Sequence, residues 1–423
     1  MLAGPEVSGS AEIVAIGDEL VHGHCIDTNS AWLAVALERL GIVTRRFHVV
    51  GDGEAAIADV LRESCARADV VLTTGGLGPT LDDRTREAAA AAAGVTLAHD
   101  EAAWQQILGW FERLQRRQVP VSNRRQATFP VGAEVLANEC GTAPGFALRS
   151  GRALLCALPG VPKEMKAMFE AQVLPRVSAL AVADHTPTAF AQLHVLGPTE
   201  AALGERLADF MRDGRNPAVG ITASSGLLTV RVAARAGDLA AAAARRDADV
   251  EALRPLLGDD LVAEGGQSVQ AALVERLRAR DATIAVAESC TAGMLASTLA
   301  DVPGVSRVLA GGVVTYSNAA KERELGVPAA MLASEGAVSE AVAAAMAGAV
   351  ARRFDVAVGV GISGIAGPDG GTPDKPVGTV CFATVVDGQM EAFTRRIASL
   401  GRDFVRRRAV LEAMAALLRR LRP

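Results

Sequence analysis

The chain has 423 residues, half of them apolar but only 4% aromatic, and a formal net charge of −5. That length exceeds what a single hydrophobic core serves, so two or three domains are expected, and abundant alanine with few aromatics points to helices packed on sheets in an α/β fold. The acidic balance carries no basic stripe for a phosphate backbone, which excludes nucleic acid as an expected partner.

The start, Met1-Leu-Ala-Gly-Pro-Glu6, has no charged stretch followed by an apolar run, and the best apolar run, Val356 to Ala366, is broken by glycines. Neither a leader nor a membrane span is expected. Cys25, Cys65, Cys140, Cys156, Cys290 and Cys381 form no C-x-x-C pair, the pattern of reduced thiols in a cytoplasmic protein.

From Ala11 to about Leu174, apolar strands (Glu12 to Ile16, Ile42 to Val50, Val70 to Thr73, Ala153 to Leu158) alternate with helices such as Asn29 to Leu40 and Gly53 to Ala66. This is the rhythm of a parallel or mixed sheet covered by helices. Three turn-to-helix junctions punctuate it. The first is Gly17-Asp-Glu-Leu20, with Asp27-Thr-Asn29 opening the next helix. The second is Thr74-Gly-Gly-Leu-Gly-Pro-Thr80 followed by Leu81-Asp-Asp-Arg-Thr85. Glycines here let backbone N–H groups approach an anion closely, which makes Gly75, Gly76, Gly78 and Thr80 candidate phosphate contacts. Asp82 and Asp83 are hard oxygen ligands suited to a divalent metal on a diphosphate, or else a helix cap with its first-turn partner. Loops at the carboxyl ends of neighbouring strands converge on one crevice, so Glu19 is expected to face the same ligand. The third junction is Pro159-Gly-Val-Pro-Lys-Glu-Met165, where Lys163 either reaches a phosphate or solvates a helix start.

The piece from about Thr186 to Glu264 is a small α+β module: strand Ala191 to Leu196, helix Glu200 to Arg212, strands Ala218 to Thr222 and Leu227 to Ala233, helix Leu239 to Leu257. Its order is KH-like, but KH domains clamp nucleic acid with a G-x-x-G loop that Gly197-Pro-Thr-Glu200 does not supply. A spacer or assembly role is expected.

From Gly265 the α/β rhythm resumes, with helix Ser268 to Arg280, strands Thr283 to Glu288 and Val308 to Tyr316, helix Ser339 to Phe354 and strand Val356 to Ile362. A hairpin from Gly378 turns at Val386-Asp-Gly388, and helix Arg402 to Arg422 closes the chain. Ser289 stands at a strand-to-helix junction, Ala287-Glu-Ser-Cys-Thr-Ala-Gly293. The only tyrosine, Tyr316, lies with Lys321 in Gly311-Gly-Val-Val-Thr-Tyr-Ser-Asn-Ala-Ala-Lys321. These three are the parts of a serine hydrolase that uses an amine as its base. Of the 43 basic residues only four are lysines, so a lysine at 321 is kept either for its titratable amine or by chance. A serine at a helix start also serves as a plain cap, and Cys290 is a rival nucleophile because a helix N-terminus lowers a thiol's pKa. The stretch Gly359 to Lys375 is a strand running into a glycine-rich loop, placed to deliver Ser363 and backbone donors at Gly364. An amine with an ordinary pKa near 10.4 loses its charge at pH 7 at a cost of about 4.6 kcal/mol, so burial or nearby cations must depress Lys321. Backbone donors near Cys290 and Thr291 are then expected to hold the oxyanion, and Arg402 or Arg406 to clamp a phosphate.

The N-terminal motifs Gly17-Asp-Glu-Leu20 with Asp27-Thr-Asn29, Gly75 to Thr85, Gly141-Thr-Ala-Pro-Gly145 and Pro159 to Met165 resemble the molybdopterin-binding-like domain of the CinA (competence/damage-inducible) family. That resemblance implies a MoaB/MogA-like fold and, in some members, hydrolysis of ADP-ribose dependent on a divalent metal ion. Asp18 stands where many members have threonine, and no G-x5-E-x7-R-E-x2-E-E box is present. The C-terminal motifs Ala287 to Gly293, Gly311 to Lys321, Gly336-Ala-Val-Ser-Glu340, Gly361 to Gly371, Lys375-Pro-Val-Gly-Thr379 and Gly401 to Arg406 resemble the nicotinamide-nucleotide amidase (PncC-type) domain of the same family. This implies hydrolysis of the carboxamide of nicotinamide mononucleotide to the nicotinate form with release of ammonia, a step that calls for no metal. By this match Ser289 is the nucleophile, activated by Tyr316 and Lys321. Ser363 replaces a common threonine and Ala292 a common glycine. The expected division is 1–175, 176–264 and 265–423, with small nucleotides as substrates and a homodimer implied by the family. The competing reading is a non-enzymatic protein that holds a molybdopterin-like or nucleotide ligand in the N-terminal loops.

Overall fold

The computed structural model describes residues 9–113, 118–181, 187–224, 226–264, 268–398 and 400–422. Two compact units are present: Met1–Ala189 with Arg235–Ala242, and Phe190–Ala234 with Ala243–Pro423. The expected module start near Thr186 and the resumption at Gly265 both lie outside the described residues.

The first unit carries β1 (Ser10–Ile16), β2 (Val43–Val50), β3 (Val70–Thr74), β4 (Leu97–His99), β5 (Thr128–Pro130), β6 (Glu134–Leu136), β7 (Gly145–Ser150) and β8 (Ala153–Leu158). Its helices are α1 (Asp18–Val21), α2 (Asn29–Arg39), α3 (Glu54–Arg67), α4 (Thr85–Ala93), α5 (Glu101–Arg113), α6 (Pro162–Met168) and α7 (Leu174–Ala181). The main sheet runs β2-β1-β3-β8-β7-β6, parallel through β8 and antiparallel at β7 and β6. β1 is buried on both faces: Ala11 and Ile13 meet Leu33 and Leu37 of α2, while Val14 and Ile16 meet Ile57 and Leu61 of α3. Such two-sided burial is why the central strands read as continuous apolar runs. The antiparallel edge is an addition to the expected elements, since β6 is too short to show a pattern.

The small module holds β9 (Thr188–Val195), α8 (Glu200–Arg206), β10 (Ala218–Ser224), β11 (Leu227–Arg235), α9 (Leu239–Leu257) and β12 (Leu261–Glu264), with sheet order β10-β11-β9-β12. Leu193, Val195, Val230 and Val232 pack on Leu203, Leu253 and Leu257. The helix expected to reach Arg212 stops at Arg206 and continues as a 3₁₀ turn, Ala208–Phe210. Leu207 and Phe210 both turn toward the core there, a three-residue spacing that a 3₁₀ turn serves.

The C-terminal domain contains α10 (Val269–Ala279), β13 (Ile284–Glu288), α11 (Met294–Ala300), β14 (Leu309–Val314), α12 (Asn318–Leu325), α13 (Ala329–Glu335), α14 (Glu340–Phe354), β15 (Val358–Gly364), β16 (Thr379–Val386), β17 (Gln389–Arg396) and α15 (Arg402–Arg420). The sheet order is β14-β13-β15-β16-β17, with β14, β13 and β15 parallel. One face, with Ile284, Val286, Val360 and Ile362, packs on α10, α11 and α15; the other, with Ala285 and Ala287, packs on α12 to α14. The hairpin turn is Asp387-Gly388, both at positive φ, the geometry that a two-residue loop requires. No helix among the described residues is long and apolar enough to cross a membrane.

Candidate active site

In the N-terminal and C-terminal domains a central strand has parallel neighbours whose connections leave in opposite directions, and crevices form at the carboxyl ends of such strands. In the C-terminal sheet that strand is β13. Ser289 follows it directly, and its N–H still pairs with Ile362 O of β15 at 3.0 Å. On the other side Thr315 N–H pairs with Glu288 O at 2.8 Å, beyond the end of β14. The strand expected to run to Tyr316 therefore ends at Val314, because Ser317 caps α12 by accepting from Ala320 N–H. With Gly326 closing α12 in the left-handed region, Lys321 is fixed on the second turn, facing Ser289.

Lys321 Nζ donates to Ser289 Oγ at 3.0 Å and to Thr315 O at 2.8 Å. Lys321 is 1% exposed and Ser289 7%. Among the described residues no carboxylate pairs with this amine. Burial lowers its pKa from the ordinary lysine value, as desolvation disfavours the charged form. The result is an amine biased toward neutrality in direct contact with a hydroxyl, the arrangement of a general base.

Several expected roles are corrected. Cys290 is not an activated thiol: burial pushes it up to about 12, and it packs in the core beside Leu295. Nor does a helix begin at Ser289. α11 starts at Met294, and its first amides are taken by the buried Glu288 carboxylate, which accepts from Gly293, Leu295 and Ala296 N–H at 3.1, 3.0 and 2.9 Å. Tyr316 does not bond Lys321 or Ser289; it is 56% exposed, and its hydroxyl accepts from Arg402 Nη2. Arg402 also donates to Gly367 O at 2.7 Å, so it ties the loop after β15 to Tyr316. Arg406 is spent on the nucleophile turn, donating from Nε to Cys290 O at 3.1 Å and from Nη2 to Thr291 O at 2.9 Å. Ser363 is buried and donates to Ala337 O at 2.6 Å. A Cβ at Gly364 would stand 2.8 Å from Val380 Cγ2 and 3.0 Å from Thr379 O, so this glycine is required by packing against β16. Thr291 is fully buried. The N–H groups of Cys290 and Thr291 have no protein acceptor among the described residues, whereas Ala292 N–H is used by Ser289 O at 3.1 Å. Ala292 itself sits at φ +53°, the left-handed region that suits the glycine common in the family.

In the first unit the expected residues do share one place. A cleft of about 600 Å³ is lined by Glu19, Gly75, Gly76, Gly78, Thr80, Asp82 and Asp83, together with Asn29, Asp52, Gly160 and Glu164. Lys163 is not on its wall. Asp83 acts as a brace: its carboxylate accepts from Gly78 N–H and Thr80 N–H, both at 2.8 Å, and from Thr80 Oγ1. Asp82, by contrast, is exposed. Hydrogen bonding from Thr80 holds its carboxyl below the usual range. Burial, together with the carboxylates of Asp18, Glu19 and Asp82, raises Asp52 despite a bond from Asp18 N–H. No group of three or more His, Cys, Asp or Glu side chains among the described residues is gathered closely enough to cage a metal. The donor set instead fits a hydrated divalent cation, which keeps waters and takes only one or two carboxylates plus ligand phosphates. Two residues of this site were missed in the sequence. Arg86 is buried beneath the loop, lowered to about 10 by burial, and donates to Leu77 O at 2.7 Å. Asn29 Nδ2 bridges Thr74 Oγ1 and Gly160 O at 2.9 and 2.8 Å. The Thr-Arg pair after the glycines and the Asp-Thr-Asn run were the available signals.

Residues 12–179 match the family described as "Probable molybdopterin binding domain", 191–263 "Damage-inducible protein CinA KH domain" and 266–421 "CinA C-terminal domain". A CinA-like protein of Anaeromyxobacter dehalogenans is 42% identical over 413 residues, 97% of this chain and 99% of the relative. One from Gemmatimonas aurantiaca is 42% identical over 420 residues, 96% and 95% of the two chains. The crystal structure of the protein CinA from Thermoplasma acidophilum is 32% identical, covering 40% of this chain and 97% of that one, with a TM-score of 0.37. With its three domains matched in order and full-length relatives at this identity, the chain belongs to the CinA family.

Proposed function

We propose that the C-terminal domain hydrolyses the carboxamide of nicotinamide mononucleotide to nicotinate mononucleotide and ammonia. The observation that carries this reading is the buried, uncompensated Lys321 amine 3.0 Å from Ser289 Oγ. Neutral Lys321 takes the Ser289 proton as Oγ attacks the amide carbon. The oxyanion that forms is held by backbone N–H groups of the 290–291 turn, each such donor being worth roughly 10²–10³ in rate. Collapse expels ammonia with the proton returned by Lys321, and water then cleaves the acyl-serine with Lys321 again as base. Tyr316 and Arg402 form the exposed rim, where an aromatic face and a guanidinium suit a pyridine ring and a phosphate. Ammonia release from nicotinamide mononucleotide by the purified chain tests the reading. Ser289→Ala should abolish it and Cys290→Ala should retain most of it; the reverse result overturns the assignment.

For the N-terminal cleft we propose hydrolysis of ADP-ribose with a divalent cation held by Asp82 and Glu19, which would neutralise the diphosphate. The favouring observation is that the carboxylates of Glu19, Asp52 and Asp82 line the same cleft as the glycine loop. Gly75, Gly78 and Thr80 N–H are held by Leu158 O and Asp83, so the N–H groups of Gly76 and Leu77 would be the loop's donors to phosphate. Release of AMP should need magnesium or manganese and fall on Asp82→Asn. Turnover without metal refutes this proposal, and ADP-ribose binding without turnover favours the non-enzymatic reading.

A further inference from the structure

We propose that Arg406 is a positioning residue that aims the Thr291 N–H at the oxyanion, an inference that rests on the amidase reading above. Its guanidinium spans two successive carbonyls, Cys290 O at 3.1 Å and Thr291 O at 2.9 Å. In a planar trans peptide the C=O and the following N–H point in opposite directions. Holding Cys290 C=O therefore turns Thr291 N–H the other way. Arg406 is on α15, which packs on the sheet face carrying Ile284, Val286 and Ile362. Lys321 is on α12, whose Leu325 packs on the opposite face with Ala285 and Ala287. Thr291 N–H is thus directed away from α15, toward the side where Lys321 meets Ser289 Oγ. It has no protein acceptor there.

The surrounding bonds make Arg406 the group that decides this orientation. Ser289 N–H is bound to Ile362 O, Ala292 N–H to Ser289 O, Met294 N–H to Thr291 O, and the Glu288 carboxylate holds the amides of Gly293, Leu295 and Ala296. Among the described residues Cys290 O has Arg406 as its partner, while Thr291 O shares Arg406 with Met294 N–H at 3.2 Å, so the peptide joining 290 to 291 is the one that Arg406 holds. A positive charge on those carbonyls also polarises the N–H at the other end of each peptide, strengthening it as a donor. A lysine lacks the planar fork that sets two parallel donors at a fixed spacing, so it does not hold these two successive carbonyls in the same register.

The test compares Arg406→Lys and Arg406→Ala with the parent full-length chain on nicotinamide mononucleotide and on its nucleoside without the phosphate. Positioning predicts a fall in kcat of about 10²-fold, with KM within about twofold of the parent. The fall should be equal on both substrates, and guanidinium should partly rescue Arg406→Ala. A raised KM with kcat kept, confined to the phosphorylated substrate, would make Arg406 a phosphate clamp and overturn the inference. If Arg406→Ala does not fold, Arg406→Lys carries the comparison, with its thermal midpoint checked against the parent. Should the parent release no ammonia, the amidase reading fails by itself, and phosphonylation of Ser289 by a fluorophosphonate still reads the oxyanion site. In that reaction Oγ displaces fluoride from phosphorus and the serine proton passes to Lys321. Slower labelling of Arg406→Lys supports positioning; equal labelling, or none in the parent, overturns it.

Discussion

At the scale of single residues, the site turns on the charge of one amine. Lys321 is buried without a carboxylate partner, and burial lowers its pKa. Its unfolded form binds a proton up to the ordinary value of 10.5, so the unfolded chain holds more protons between the depressed value and 10.5. Parent stability must then rise with pH across that window. Lys321→Met, which removes the group, should gain most relative to the parent below the window and progressively less toward pH 10. Each unit of lowering corresponds to about 1.4 kcal/mol, read as a shift in urea midpoint. The same depressed value sets the acid limb of kcat/KM, which should fall as pH drops through it. A second prediction concerns Ala292 at φ +53°. Left-handed backbone costs an alanine about 1–2 kcal/mol, offset in part by the extra freedom of glycine in the unfolded chain. Ala292→Gly should therefore raise stability by roughly 0.5–1 kcal/mol in thermal unfolding. Lysine 321 could be picked out in the sequence because lysines are so scarce; Arg406 could be picked out only as a phosphate clamp. Its proximity to the site followed from the motif, but which carbonyls its fork meets depends on how α15 crosses the turn.

Elements explain the glycines better than ligands do. The run from Gly359 reads as a strand entering a glycine-rich loop, and Gly359 and Gly361 lie inside that strand, β15, where α14 rests on the sheet. A Cβ at Gly359 would stand 2.6 Å from Ala347 O, and one at Gly361 would overlap Ala343 O. Gly361→Ala should push α14 outward and cost about 2 kcal/mol, within the range for overpacked cores, as measured by chemical denaturation of the full chain. Amidase activity should fall with it, since Ser363 and Ala337 are joined across the same contact. Strand and helix identities were legible from period and punctuation wherever an element was long. What could not be read was the direction of polar groups at element ends. Glu288 looks like one more polar residue before a serine, but as the last residue of β13 it turns back to hold three amides of the next helix. Asp83 likewise closes its own loop by accepting from Gly78 and Thr80 N–H, and it is not the helix cap that spacing alone left equal to metal binding, since α4 has Arg84 at its cap position.

For the molecule as a whole, acid sensitivity is expected to come from a place far along β1 from the cleft. Glu12 is 2% exposed. Burial alone would raise its carboxyl, but hydrogen bonds from Arg67 and His48 outweigh this and hold it at about 2, against an ordinary 4.5. A depressed carboxyl stabilises the fold above 4.5, and that contribution disappears as pH falls toward 2. Its size is on the order of 3 kcal/mol. Glu12→Gln should lower stability at pH 7 and flatten the loss of structure between pH 4.5 and 2, followed by circular dichroism. The two sheets share a plan, with a glycine or serine turn at the carboxyl end of a strand flanked by two parallel neighbours. That shared plan was legible from the alternating rhythm, while the joining of the small module and the C-terminal domain into one unit was not, because it depends on contacts such as Arg419 to Leu196 O.

The contact between Lys321 Nζ and Ser289 Oγ also makes the resting proton count of the site measurable. An aryl boronic acid that bonds Ser289 Oγ becomes a tetrahedral anion, and the serine proton must go somewhere. If Lys321 rests neutral it absorbs that proton, and the adduct forms with no exchange with the buffer. If it rests charged, one proton is released for every adduct. Calorimetry in buffers of different ionisation heat separates zero from one, and the depressed amine described above requires zero on the alkaline side of its pKa.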